Sequence, residues 1–498
     1  MRHRADIART LLCLGIVLTS ASCEALFGGL SQANPESCVA NPGLCQASES
    51  VCNELTRECE PALRLESISP RAALYDKEVM VTIQGRNFVP GMTLTIGGRS
   101  ATQVQVVSAT QLTAMAPVFR GSKERMEVIL TAPSGQKLSA GKLFHYFPFP
   151  QFAPVIQVSS PTTSTMFRAA DFNQDGRIDL AMSSDAVSSV AMFLGQQSGT
   201  LQPAAPVPFL TRPFAMALGD VNGDGKTDIA ISKSAAQPSI EFALGKGDAT
   251  FTFGSPLPAP TTVGALALLD ANGDNKVDLV MGSGKEVSVY PGLGDGSFGP
   301  AKSTPHELQL LDVSSEFAVG DMNGDGLSDI VLSSGKDSRL TVFLNQGNGV
   351  LASPMYGISV KSVYSPLVAD LNQDGKLDAI ASVVNTQELQ LFWGEGNGSL
   401  RAGARIPSFS GRETVTTADI NGDGTIDIIS VDSVNEAERF EVHAGDGGEV
   451  FVRSDSYPIE PLALARTVYV GDFNSDGKPD VVIAQRTGKL SLFQNVTP

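Results

Sequence analysis

Side chains for acid–base and nucleophilic chemistry are scarce in this sequence. Of its 498 residues only 4 are His, 1 is Trp and 6 are Cys, and aromatics make up 6%. Beyond the first 22 residues the histidines reduce to His145, His306 and His443, and no Ser/His/Asp grouping can be read from spacing. No cysteine follows Cys59, so disulfides cannot staple anything downstream. No glycine-rich nucleotide motif opens a helix after a strand; the GxG turns here join strands. These absences leave no positive sign of an enzyme. Long apolar runs are missing too: Leu11 to Leu18 is too short to span a bilayer, and no later run approaches that length. Positive charge is also in short supply. Lys plus Arg number 36 against 53 Asp plus Glu, and a net charge of −17 argues against nucleic acid as a partner.

What is present implies turns and short strands. Gly numbers 49 and Pro 29, and a hydrophobic content of 42% supports real cores in a chain long enough for several domains. One nine-residue stretch is written seven times. Its cleanest form is Asp220-Val-Asn222-Gly-Asp224-Gly225-Lys-Thr-Asp228, followed by Ile229. The other copies begin at Asp171, Asp270, Asp321, Asp370, Asp419 and Asp472, with successive starts 49, 50, 51, 49, 49 and 53 residues apart. A sustained period of that size marks a repeat architecture.

Every copy puts Asp, Asn, Asp and Asp at positions one, three, five and nine. Calcium takes roughly six to eight oxygen ligands, and carboxylates at alternate positions of a short loop can wrap one. Position six must turn sharply with positive φ, which suits Gly; the third copy has Asn275, the next most tolerant residue. Position seven would contribute its backbone carbonyl. The expected ligands are Asp171, Asn173, Asp175, Arg177 and Asp179 in the first loop, and Asp220, Asn222, Asp224, Lys226 and Asp228 in the second. The third and fourth use Asp270, Asn272, Asp274, Lys276 and Asp278, then Asp321, Asn323, Asp325, Leu327 and Asp329. The fifth uses Asp370, Asn372, Asp374, Lys376 and Asp378; the sixth Asp419, Asn421, Asp423, Thr425 and Asp427; the seventh Asp472, Asn474, Asp476, Lys478 and Asp480. An EF-hand would need a Glu at position twelve and flanking helices, but here strand-like runs such as Asp228-Ile-Ala-Ile follow. Turn-forming propensity alone explains one copy, not four fixed oxygens in seven. The expectation is up to seven calcium ions, whose charge would offset most of the acidity.

Residues 1–22 read as an export signal: Arg2, Arg4 and Arg9, a short apolar run, then Thr19-Ser-Ala-Ser22 before Cys23. This resembles a bacterial lipoprotein signal, which implies lipidation at Cys23 and a membrane anchor. Ser20 stands where that signal normally has Leu, so ordinary signal-peptide cleavage stays open. A linker at 23–37 leads to a segment at 38–60 holding Cys38, Cys45, Cys52 and Cys59, with six residues between neighbours. Export and an even count favour two disulfides in one of three connectivities. Zinc is the rival, but its sites usually use close CxxC-type hooks.

Residues 61–148 alternate strands with glycine turns, as in Val81-Thr-Ile83-Gln-Gly85-Arg-Asn87-Phe88 and Thr93-Leu-Thr-Ile96-Gly-Gly98. The segment resembles the IPT/TIG family of immunoglobulin-like domains, which implies a small β-sandwich. From 149 to 498 each repeat carries a second mark after its loop: Phe193-Leu-Gly195, Ala243-Leu-Gly245, Phe343-Leu-Asn345 and Phe392-Trp-Gly394, then turns such as Gly347-Asn-Gly349 and Gly396-Asn-Gly398. Both marks together resemble the FG-GAP/VCBS repeat, also found in integrin α heads. That resemblance implies a propeller with one four-stranded blade per repeat. Repeat seven reaches Phe493-Gln-Asn-Val-Thr-Pro498 where its outer strand should follow, and residues 152–159 resemble that strand. Pairing the two would close the ring and remove exposed edges.

The expected fold class is therefore all-β: a seven-bladed β-propeller preceded by an Ig-like β-sandwich and a small disulfide-rich segment. The expected function is an exported, lipid-anchored bacterial surface protein, at the outer membrane or cell surface or else secreted or periplasmic. Its calcium-stabilised propeller would bind an unidentified protein or glycan, for adhesion or scaffolding. A lyase-like polysaccharide enzyme and a purely structural envelope protein are the alternatives. Connections away from the calcium loops vary most, with Arg212, His306, Tyr364 and Arg412 as conspicuous members and the ordinary surface role as their plainer reading. Trp393 reads as packing.

Overall fold

The computed structural model describes residues 50–52 and 59–497, apart from short connections at 76, 120–124, 160–165, 184–186, 210–212, 234–236, 311–315, 335–338, 360–362, 384–385, 387, 408–414, 432–438, 460–464 and 486–487. Cys23, Cys38, Cys45, Arg212 and Arg412 lie outside these residues. No helix among the described residues is long and apolar enough to cross a membrane. Two compact units meet in the chain between Tyr146 and Phe147.

In the first unit a hairpin pairs Ser50–Cys52 with Cys59–Pro61. Two sheets follow. One holds Arg64–Ser69, Val79–Arg86, Gln111–Ala116 and Thr102–Ser108; the other holds Ala72–Leu74, Lys137–Phe147, Met126–Thr131, Thr93–Ile96 and Arg99–Ser100. Apolar residues alternate along these strands, so one face of each can turn inward. Ile68, Val81, Ile83, Leu112 and Ala114 from one sheet bury with Leu94, Val128, Leu130 and Phe144 from the other. Gly85 is dictated by approach: a Cβ there would lie 2.0 Å from the Arg64 carbonyl and 2.6 Å from Phe88.

In the second unit the described residues form seven sheets, each led by the strand that enters a calcium-type loop. The leading strands are Met166–Ala170, Pro213–Gly219, Val263–Leu269, Glu316–Gly320, Val363–Ala369, Val415–Ala418 and Ala465–Gly471. Each neighbours the next, and the last lies beside the first, the arrangement of propeller blades. The strand leaving each loop is buried on both faces, as in Asp179–Ser183 and Asp378–Val383. That is why these stretches read as unbroken apolar runs rather than alternation. Each core is shared by neighbours: Ala181, Val190 and Met192 of the first sheet pack with Met216, Ile229 and Ile231 of the second. In the third sheet, Asp278–Tyr290 runs as one strand through Gly284.

The ring closes as the repeat frame requires. Ile156–Ser159 pairs antiparallel with Lys489–Phe493, Gln157 facing Ser491 and Val158 facing Leu490. A bridge joins Phe152 to Asn495. The Phe152 ring packs edge-on against Phe440, Tyr457 and Phe493, and Tyr457 Oη donates to the Pro150 carbonyl at 2.5 Å.

Candidate metal centres and the contacts that lock them

The seven loops share one backbone form. In the second, Asp220 Oδ2 accepts the Gly225 N–H at 2.7 Å, Asn222 Oδ1 accepts that of Asp224 at 3.1 Å, and Asp224 Oδ1 accepts that of Lys226 at 3.1 Å. In the third loop Asn275, φ 62°, takes the place of the usual Gly and its N–H still reaches Asp270 Oδ2 at 2.8 Å. Position four is left-handed as well, including the non-glycines Gln174, Gln373 and Ser475. The sequence pattern gave no reason to look there, although four copies have Gly at that place.

Position nine differs from the other acidic positions. Asp179, Asp228, Asp278, Asp329, Asp378, Asp427 and Asp480 are fully buried. One oxygen of each accepts the N–H of position two: Phe172, Val221, Ala271, Met322, Leu371, Ile420 and Phe473, at 2.8–3.1 Å. The other accepts the N–H at the end of the third strand segment: Gly195, Gly245, Gly292, Asn345, Gly394, Gly445 and Asn495, at 2.7–3.0 Å. Position nine thus clamps the loop to its own blade. The glycines at this contact are required by space, since a Cβ on Gly394 would lie 2.0 Å from the Leu377 carbonyl. Where Asn replaces Gly, its Nδ2 donates to that same carbonyl, Ser328 from Asn345 and Pro479 from Asn495.

Position two links neighbouring blades through its remaining group. The carbonyls of Phe172, Val221, Ala271 and Met322 accept N–H groups from the next blade's turn: Ala249, Gly296, Gly349 and Gly398, at 3.0–3.2 Å. At the closing blade the Asn495 side chain takes this role, donating Nδ2 to the Ile420 carbonyl at 2.7 Å. Gln174 and Gln373 add bonds to the Gly225 and Gly424 carbonyls of the following loops.

Burial pushes the position-nine carboxyls up, to about 6 for Asp228, Asp378 and Asp480; the N–H donors pull the other way, and the carboxylates at position five push up again. A dication held by positions one, three and five would relieve that repulsion. The donors are hard oxygens of the type calcium prefers, and a carboxylate oxygen bonded to one N–H retains accepting capacity. Among the described residues no three His, Cys, Asp or Glu side chains converge as a metal shell. Position-seven side chains lie close in two loops, Arg177 on Asp175 at 2.6 Å and Lys226 on Asp224 at 3.3 Å, both partly exposed and so weak.

The remaining candidates divide. Trp393 is buried between the fifth and sixth blades, as packing. Tyr364 is half-buried in a leading strand. His306 is not the surface residue the sequence suggested: it lies in Lys302–Leu310, buried edge-on against Phe343. His145 and His443 are buried too, the latter with its Nε2 3.6 Å from the buried Glu441. Nothing in the pattern signalled that pair, which sits in Arg439–Gly445.

The profile of the FG-GAP-like repeat matches residues 171–231, 220–281, 270–332, 321–381, 370–430 and 419–483, each window running from one loop through the next. The chain belongs to the FG-GAP-like repeat family. Residues 63–146 match the IPT/TIG domain. No curated protein matches the chain. Similar solved structures include an Agrocybe aegerita lectin described for recognition of non-reducing terminal N-acetylglucosamine, with TM-score 0.44, 19% identity and coverage of 74% of this chain and 93% of that one. An auxiliary nutrient binding protein from Bacteroides ovatus has TM-score 0.38 and 11% identity, covering 87% and 98%. A functionally unknown protein from Desulfotomaculum acetoxidans has TM-score 0.43 and 10% identity, covering 62% and 92%.

Proposed function

We propose that this FG-GAP-like repeat protein is a calcium-stabilised binding scaffold, exported and anchored through a lipid on Cys23, whose propeller holds a protein or glycan ligand. The observation that carries the reading is the double use of position two: its N–H is fixed by the clamp of its own loop, and its carbonyl by the turn of the next blade. Loops built this way serve the rigidity of the ring. Recognition then falls to the connections that differ between blades, where variable loops on a rigid frame usually carry it. All three described histidines are buried, so the imidazoles do not face solvent as general bases would.

In each loop the side chains at positions one, three, five and nine and the backbone carbonyl of position seven would hold the ion, whose positive charge would relieve the repulsion at the position-nine carboxylate. The full-length protein should be run over a glycan array and used in a surface-protein pull-down, with calcium and with chelator. A ligand retained with calcium and released by chelator is expected. No ligand in either format, or cleavage of a polysaccharide probe, would overturn the binding reading.

A further inference from the structure

The seven loops share a backbone form but differ at position four. Loops two, three, four and six carry Gly there, giving the pairs Asn222-Gly223, Asn272-Gly273, Asn323-Gly324 and Asn421-Gly422, whereas loops one, five and seven carry Gln174, Gln373 and Ser475. An asparagine followed by glycine is prone to deamidate, because no side chain shields the glycine nitrogen from the neighbouring carboxamide. In loops two to four the Asn is half-buried and the Gly exposed, while Asn421 is buried. Both reacting groups are nevertheless engaged. The N–H groups of Gly223, Gly273 and Gly324 donate to Oδ1 of Asp220, Asp270 and Asp321 at 2.7–2.8 Å. Oδ1 of Asn222, Asn272 and Asn323 accepts the N–H of Asp224, Asp274 and Asp325 at 2.9–3.1 Å. We propose that Asn222, Asn272 and Asn323 are sites of spontaneous deamidation, shut while their loops are wrapped and opened when the ion leaves.

The opening step rests on the calcium reading proposed above: without a cation the carboxylates of one loop repel each other and loosen the wrapped form. The glycine nitrogen then attacks Cγ of the preceding asparagine. A C–N bond forms, the bond to Nδ2 breaks, and the amide leaves as ammonia with the proton from the glycine N–H. Water opens the resulting imide at either carbonyl, giving aspartate or isoaspartate. Isoaspartate carries an extra backbone carbon between positions three and four, so that loop can no longer wrap an ion. The other exposed Asn-Gly pairs are held differently. Gly349 and Gly398, after Asn348 and Asn397, are buried and donate to the Ala271 and Met322 carbonyls of the preceding blade at 3.2 and 3.0 Å. Those bonds last as long as the blades stay packed.

The full-length protein is incubated at neutral pH, below its first melting transition, with calcium or with chelator. It is then digested in mild acid and mapped by mass spectrometry, with elemental analysis of the calcium-loaded sample. Calcium at about ten times the dissociation constant leaves a loop empty about a tenth of the time, so conversion at Asn222, Asn272 and Asn323 should run about tenfold slower than in chelator. Asn173, Asn372 and Asn474, followed by Gln or Ser, should stay amides, as should Asn348 and Asn397. Returned to calcium, the protein should lack one ion for each loop carrying isoaspartate. Gly324→Gln, where a Cβ would meet nothing within 4 Å and Gln174 and Gln373 supply the precedent, should protect Asn323 alone. Equal conversion with and without calcium in a protein that elemental analysis shows to hold the ion would overturn the inference and leave the calcium reading standing. A protein that holds no calcium would overturn both. Conversion of Asn348 and Asn397 in step with the loops would point to unfolding of the whole ring and would also overturn it, as would no conversion in chelator.

Discussion

The two units bury their strands in opposite ways. In the IPT/TIG unit, Val79–Arg86 alternates buried and exposed residues, and a single core holds Val81, Ile83, Leu94 and Phe144. In the propeller, Asp228–Lys233 is buried almost throughout, and its core positions are split between partners on both sides: Ile229 and Ile231 face the first blade, Ala230 the third. The sandwich can therefore hold itself together, whereas no blade can bury its faces alone. Propeller stability must come from repetition, from closure, and from the polar contacts at the loops.

Metal removal should separate the units most sharply. Binding at a free concentration about ten times the dissociation constant stabilises by about 1.4 kcal/mol per site, so seven independent sites have a ceiling on the order of 10 kcal/mol. That rivals the stability of a whole domain. In calorimetry, chelator should lower the propeller transition by tens of degrees and leave the IPT/TIG transition in place. An unchanged curve, with no calcium found by elemental analysis, would reduce the loops to turns. Next in size is deletion of 150–159, which removes the strand paired with Lys489–Phe493 and exposes a sheet edge. Aggregation by light scattering, with the sandwich transition retained, is expected; a monomeric variant with normal melting would show that closure contributes little.

Single substitutions refine the contrast. Asp228→Ala strands the buried N–H groups of Val221 and Gly245, at about 1–3 kcal/mol each, and should lower the propeller transition by several degrees even in chelator. In the sandwich, Gly85→Ala drives a methyl into the Arg64 carbonyl; overpacking of that kind costs about 1–3 kcal/mol, and only the smaller transition should move. Asp224→Ala should have the least effect, removing about one calcium ion per chain by elemental analysis at a cost near 1 kcal/mol with calcium, and in chelator only the small cost of one exposed bond to the Lys226 N–H. A loss equal to that of Asp228→Ala in chelator would erase the distinction between the clamp and a position that only ligates.

Much of this was legible because it is local or periodic. The spacing of Asp171 through Asp472 marks the blades, and the frame of the repeat alone places 152–159 beside the last one, where Ile156–Ser159 pairs with Lys489–Phe493. Other features were hidden. Position nine reads as one more oxygen in a loop, yet its distinctive partners lie up to 18 residues away, as Gly445 does from Asp427. The buried His306 and the Glu441–His443 pair depend on neighbours brought in from other strands.

The sequence by itself determined where each loop lies, which residues carry its oxygens, how many repeats there are and which strands surround them. These follow from backbone conformations and side-chain chemistry within nine residues, with a hydrophobic pattern just beyond. Only the tertiary structure decided that position nine is a clamp, that position two ties one blade to the next, and that Asn495 completes the tie from the last blade to the sixth. Those choices depend on which buried N–H and carbonyl groups come within about 3 Å once the blades pack, since each must find a partner away from water.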